Sequence, residues 1–122
     1  MLKGTHSCRD NWRVNDIDEK IQLKKVAPLL ENRKPIIVDH KEICWKFKEN
    51  PAIRRDTSWD RYKKANVMVP GILVEGPNPC NLKYRLVDGN HRMCKLKLET
   101  NFTRSQFYIL TLEEFYSFLE PL

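Results

Sequence analysis

Residues 84–96, YRLVDGNHRMCKL, change from a strand pattern to a helix pattern at their centre. Apolar Tyr84, Leu86 and Val87 come before the change, and an amphipathic run with Met93 and Leu96 follows it. A helix N-terminus leaves backbone N–H groups unpaired and carries a positive partial charge, and a glycine there permits a positive φ. The segment therefore predicts a strand-to-helix turn that can hold an anion such as phosphate.

Basic and backbone nitrogen atoms gather on one side of this predicted helix. If the helix starts near Asn90, His91 and Lys95 lie four residues apart on one stripe, with Arg92 beside them. A structural interpretation is also open, in which Asp88 or Asn90 only caps the helix and Arg92 pairs with a surface carboxylate. The combination favours a phosphate site, whose predicted ligands are Gly89, Asn90, His91, Arg92 and Lys95.

The remaining segments mix strand and helix signals. Strands are predicted from residue 20 to a break at Pro28, and at 35–39, 72–75, 83–87 and 107–111. Helices are predicted after Asp39 up to Asn50, at 59–66, at 91–99 and after Thr111, which forms a capping box with Glu114. The turn GPNPCN predicts a hairpin between 72–75 and 83–87. This order indicates an α+β fold with a mixed β-sheet and flanking helices, as one domain over 1–122 with an irregular arm at 1–16.

The charge is unevenly distributed along the chain. The net charge is +6, and residues 20–64 hold 13 basic and 6 acidic residues, which gives +7 for that segment. An anionic partner such as DNA or RNA is one interpretation, and a solvated basic surface is the other. The candidate nucleic-acid ligands are Arg54, Arg55, Lys63 and Lys64. Trp45, Trp59 and Tyr62 lie in the same segment and fit either base stacking or the core.

Four cysteines, at positions 8, 44, 80 and 94, form no C-x-x-C pair. The N-terminus lacks the apolar run of an export signal, so we expect reduced thiols and a cytoplasmic protein. A zinc site at His6 and Cys8 has weaker support, because structural zinc normally uses paired ligands at short spacing. No apolar run approaches the roughly 20 residues of a membrane span, so we expect no membrane association.

The motif and the hairpin before it resemble the D-G-x-H-R signature of the ParB/sulfiredoxin superfamily. The resemblance covers VPGILVEG, the following turn, and YRLVDGNHRMCKLKL, which together lie within about residues 67–112. It implies a ParB/sulfiredoxin-like fold in a compact, single-domain member. Gly89, His91 and Arg92 would then contact phosphate, and Asp88 would order the loop or bind a divalent ion such as Mg²⁺.

The family includes CTP-binding partition proteins, nucleases, ATP-dependent sulfinic-acid reductases and a free-serine kinase. The reductases place a catalytic cysteine directly before the His-Arg pair, where this chain has Asn90, so sulfinic reduction is disfavoured. The resemblance therefore implies an enzyme of phosphate chemistry of the nuclease, NTPase or kinase type, with ATP or another nucleotide as a ligand. The candidate catalytic residues are His91, Asp88 and Glu75. The alternative is a non-catalytic module that binds nucleotide or nucleic acid.

Overall fold

The computed structural model describes the fold of residues 5–8 and 19–121. The strands are β1 (Thr5–Cys8), β2 (Glu19–Gln22), β3 (Ile36–Asp39), β4 (Ile43–Cys44), β5 (Gly71–Glu75), β6 (Tyr84–Asp88), β7 (Arg104–Leu110) and β8 (Leu119–Pro121). The helices are α1 (Leu23–Leu30), α2 (Ala52–Thr57), α3 (Trp59–Lys64), α4 (Asn90–Glu99) and α5 (Leu112–Phe118).

A five-stranded mixed sheet in the order β3-β7-β5-β6-β4 forms the centre of the fold. Strand β5 pairs antiparallel with β6 and parallel with β7, and β4 pairs parallel with β6. A second, antiparallel sheet joins β1, β2 and β8. The predicted α+β class, mixed sheet, flanking helices and β5–β6 hairpin are therefore confirmed.

Side chains that alternate along the central strands supply two separate cores, one on each face of the sheet. One core packs Ile72 and Val87 against α1 and α5, with Phe115 fully buried at its centre. The other core packs Leu73 and Leu86 against α4. Strand β6 therefore contacts a hydrophobic layer on both sides, which fixes the position of the turn at its end.

The prediction of a helix after Asp39 is wrong. Asp39 does accept a hydrogen bond from the Lys41 N–H, but it caps only a 3₁₀ turn over His40–Glu42. Residues Ile43 and Cys44 then form β4, because both are buried when they pair with β6. A parallel strand pairing over a long sequence distance outweighs local helical spacing here.

The strand predicted from residue 20 up to Pro28 ends early, at Gln22. Helix α1 follows, with Leu23, Val26 and Leu30 buried on one face, and Pro28 lies inside the helix. The arm at 1–16 was expected to be irregular, yet it contains β1; its other residues lie outside the described part of the chain. Helix α2 and strand β8 were not predicted.

The expectation of reduced thiols is wrong for two of the cysteines. Cys44 and Cys80 form a disulfide, with their Cα atoms 5.6 Å apart, while Cys94 is a buried free thiol. The pairing of β4 with β6 places Cys44 beside the turn that leads into β6, where Cys80 lies. The disulfide removes the thiol argument for a cytoplasmic location. In residues 5–8 and 19–121, no helix is long and apolar enough to cross a membrane.

His40 predicts an acid-sensitive fold. It is buried, its Nε2 lies 2.8 Å from the Ser105 Oγ, and burial is the main cause that lowers its pKa to about 4. Between pH 6.5 and 4 the His40 imidazole is protonated in the unfolded chain and neutral in the folded chain. The free energy of unfolding therefore falls as the pH falls. We expect a loss of about 3 kcal/mol from this group.

Urea denaturation at pH 7 and at pH 4 measures this loss. A His40→Gln variant should lose less free energy of unfolding between the two pH values than the wild type does, whatever its stability at pH 7. An equal loss in both proteins would show that His40 does not titrate as described.

Candidate anion site at the start of helix α4

The turn between β6 and α4 depends on two glycines. Gly89 has a φ of +123°, which side-chain-bearing residues rarely adopt, and it occupies the N-cap position of α4. A Cβ on Gly71, at the start of β5, would lie 2.9 Å from the Asp88 carbonyl oxygen. The backbones of β5 and the turn therefore approach more closely than any other residue at position 71 would allow.

A salt bridge between Asp88 and Arg92 spans the first turn of helix α4. The Arg92 Nη2 donates to Asp88 Oδ2 over 2.6 Å, and the Met93 N–H donates to the Gly89 carbonyl over 2.8 Å. Both partners of the salt bridge are partly buried. The first N–H groups of α4 have no partner within the helix, and no side chain caps them. They are available to an anion.

An open cavity of about 410 Å³ lies in front of this turn. Its wall includes residues of α1, α2, α3 and the loop before β5 as well as the turn itself. Among the described residues that line it, four side chains are cationic, namely Arg54, Arg61, Lys64 and Arg92, and one, Asp88, is a carboxylate. The lining therefore carries a formal charge of +3, which favours an anionic ligand.

Three of these cations have no acidic partner within the described residues. Arg54, Arg61 and Lys64 take part in none of the salt bridges there, whereas Arg92 is bound to Asp88. The Arg54 guanidinium lies 5.2 Å from the centre of the Phe47 ring, and this contact leaves its charge uncompensated. Charges that converge without counter-ions are typical of an anion-binding site.

His91 is neutral at pH 7. Its pKa is lowered to about 4, first by burial and then by the positive charges of Arg54, Arg61 and Arg92. Three polar atoms at the junction of α2 and α4 are buried with no hydrogen-bond partner among the described residues. They are His91 Nε2, Asn90 Oδ1 and Arg54 Nε. Arg54 therefore contributes both a charge and an unpaired N–H to this junction.

Lys95 lies outside the cavity. Its Nζ donates to the carbonyls of Lys63 and Ala65 at 2.9 and 3.0 Å, so it binds the C-terminal end of α3. Glu75 is also remote from the cavity. It lies opposite Tyr84 in the β5–β6 strand pair, whereas Asp88 lies opposite Ile72 at the other end of that pair. Of the predicted site residues, the structure brings together Arg54, Lys64, Asp88, Gly89, Asn90, His91 and Arg92, and leaves Arg55, Lys63, Glu75 and Lys95 outside the cavity.

The described part of the cavity offers a magnesium ion one carboxylate, that of Asp88. Among the described residues that line the cavity, Asp88 is the only carboxylate, and Arg92 donates to one of its oxygens. Mg²⁺ needs oxygen ligands, and the other charged groups here are cations. Over residues 5–8 and 19–121, no three His, Cys, Asp or Glu residues cluster as a metal site would require. Asp88 as a metal ligand stays a prediction without support from this geometry.

Sequence reasoning missed Arg61, although it lies in the basic segment and in the correctly predicted α3. Its spacing from the DGNHR turn gave no sign that the two would meet.

The aromatic residues of the same segment lie partly in the core and partly on the surface. Trp45 and Tyr62 are buried, while Trp59 is 53% exposed and stacks on Tyr62 with the ring centres 5.7 Å apart.

Comparisons of the chain with protein-family models, with curated proteins and with solved structures find no match. The resemblance to the ParB/sulfiredoxin superfamily therefore depends on the motif and on the hairpin before it.

The pKa of His91 tests the arrangement of the cavity. Replacing both cationic neighbours, as Arg54→Gln with Arg61→Gln, should raise this pKa above about 4, because the imidazolium then meets less repulsion. The rise is partial, since burial remains. An NMR titration of the His91 ring protons measures it.

Arg55→Gln with Lys63→Gln is the matched control, because it removes two charges from the same helices at positions outside the cavity. It should leave the His91 pKa unchanged. An equal rise in both double variants would mean that His91 responds to net charge and not to these two guanidinium groups.

Proposed function

We propose that this chain binds the phosphate groups of a nucleotide or a phosphodiester in the cavity at the DGNHR turn. The observation that carries the proposal is the convergence of Arg54, Arg61, Lys64 and Arg92 on the uncapped N-terminus of α4. Backbone N–H groups and a helix dipole bind phosphate without a metal, and arginine adds bidentate hydrogen bonds.

We assign the domain to the ParB/sulfiredoxin-like fold as part of this proposal. The β5–β6 hairpin, the turn with a positive φ at Gly89 and the amphipathic α4 follow each other in the order that the resemblance implies. The nuclease, NTPase and kinase activities of such domains share a phosphate cradle, and the fold does not select among them.

Each group in the cradle has a distinct role. Gly89 and the first N–H groups of α4 bind one phosphate, and Arg92, held by Asp88, adds a side-chain donor in a fixed orientation. Arg54, Arg61 and Lys64 neutralise the remaining charge. A neutral His91 accepts or donates a hydrogen bond and acquires a higher pKa when an anion is bound, because the anion stabilises the imidazolium. His91 and Asp88 are the candidates for a catalytic role.

Ligand-induced stabilisation tests the proposal. ATP, ADP, CTP, GTP and inorganic phosphate at millimolar concentrations should raise the melting temperature, because a ligand of the folded state adds RT ln(1 + [L]/Kd) to the free energy of unfolding. The Arg54→Gln/Arg61→Gln variant should lose most of the shift, since hydrogen bonds to charged groups contribute about 1.5–3 kcal/mol each. Release of phosphate or nucleoside diphosphate in the same samples reports turnover.

The Arg55→Gln/Lys63→Gln variant should retain the full shift, because its substitutions lie outside the cavity. The shift should also persist in EDTA, since the cavity binds phosphate through nitrogen donors. The absence of a shift with every ligand, or equal losses in the two double variants, would contradict binding in this cavity.

The face of α2 and α3 supports a second candidate function, the binding of single-stranded DNA or RNA. Arg55, Lys63 and Lys64 are exposed there beside the exposed ring of Trp59. A basic surface with an exposed aromatic ring can contact the phosphate backbone and stack a base. Solvation of the same surface is the alternative.

The salt dependence of binding distinguishes the two functions. If Arg55 and Lys63 contact a nucleic-acid backbone, replacing both should flatten the log-log salt slope by about 1.4–1.8, because each contact contributes roughly 0.7–0.9. The same variant leaves nucleotide binding intact, so the two functions separate within one protein. If gel shifts at low salt detect no complex, the surface is solvated.

A further inference from the structure

Helix α2 supplies Arg54 to the cavity but has no buried residue of its own. The six residues of α2 therefore contribute little to the hydrophobic cores, and neighbouring segments must hold the helix in place. Its C-terminal neighbour α3 has one buried residue, Tyr62. Helix α2 packs against α4 and α3, and the segment before it adds the contact of Phe47 with Arg54.

That preceding segment starts at the edge of the central sheet. Strand β4 has two residues and a single partner strand, β6. Trp45 follows it and is buried, and the half-buried Phe47 carries the Arg54 guanidinium over its ring at 5.2 Å. The chain therefore leads from Cys44 through Trp45 and Phe47, which pack in the same core, to Arg54 at the cavity.

The disulfide fastens the start of this series. It joins Cys44, in β4, to Cys80, in the exposed turn between β5 and β6. Cys44 is buried and Cys80 is exposed, so a reductant in solution reaches the bridge from the Cys80 side. Backbone pairing holds a two-residue edge strand weakly, so the disulfide adds to the burial of Ile43 and Trp45 in keeping β4 in place.

We propose that the Cys44–Cys80 disulfide is a redox site that positions Arg54 and so controls the anion affinity of the cavity. This inference rests on the proposed function. A dithiol is the reductant: its thiolate attacks the sulfur of Cys80, the thiolate of Cys44 leaves and takes up a proton, and the second thiol of the reductant resolves the mixed disulfide. Two electrons and two protons pass to the protein, and the dithiol becomes a disulfide.

Hydrogen–deuterium exchange tests the positional part of the inference without any ligand. Dithiothreitol should accelerate exchange of the amides in residues 45–57, while amides of β5 and β7, which do not pair with β4, keep their rates as an internal reference. Unchanged exchange in residues 45–57 would overturn the inference. Faster exchange throughout the protein would also overturn it, because it would show a loss of overall stability and not the release of one segment.

The affinity for inorganic phosphate, followed through the His91 ring resonances, tests the functional part. Reduction should weaken it about tenfold, the effect of losing one charge-assisted hydrogen bond. Local release of residues 45–57 with an unchanged phosphate affinity would overturn the control of affinity. If neither redox state binds phosphate, the proposed function fails and the control of affinity fails with it, while the exchange data still show whether the disulfide positions α2.

Two variants separate the disulfide from other thiol chemistry. Cys80→Ser should behave as the reduced protein in both buffers, because its position is exposed and the change costs little packing. Cys94→Ala is the control, since Cys94 is a buried free thiol outside the bridge, and it should respond to dithiothreitol as the wild type does. A wild-type response from Cys80→Ser, or none from Cys94→Ala, would contradict the assignment.

Discussion

The close approach of two backbones, at Gly71 and Gly89, determines where every other part of the site can lie. The turn after β6 passes directly over the start of β5, and a side chain at position 71 would meet the Asp88 carbonyl and the Phe107 ring. Both faces of β6 are packed, so the turn cannot move away from the sheet. The uncapped end of α4 therefore points in a fixed direction, and the salt bridge of Asp88 with Arg92 completes the turn.

Local signals predicted the parts of the fold that depend on neighbouring residues. The β5–β6 hairpin, the start of α4 and the capping box of Thr111 each follow from a few adjacent side chains. The errors lie where distant segments meet. Residues 43–44 pair with β6 and the Cys44–Cys80 bridge depends on that pairing, and neither contact leaves a periodic pattern in the sequence.

In the candidate site, too, the sequence predicted the adjacent residues but not their contacts with distant segments. The DGNHR turn was identified because its residue types are adjacent, but its partners on α2 and α3 were assigned only to a basic surface. Lys95 was placed with the turn because it lies four residues after His91, yet it reaches back to the end of α3. Spacing on a helix identifies a common stripe, and only packing against another helix decides which members of the stripe face the cavity.

The cationic side chains of the cavity repel one another. Arg54, Arg61 and Lys64 converge without acidic partners in the described chain, and their field adds to burial in keeping His91 neutral. Mutual repulsion of this kind costs free energy of folding, and an anion bound as we propose would offset part of that cost. Helix α2 nevertheless packs against α4, where Arg92 is paired with Asp88. If the proposed anion binding and the proposed role of the disulfide both hold, the anion and the disulfide act on the same residue, Arg54.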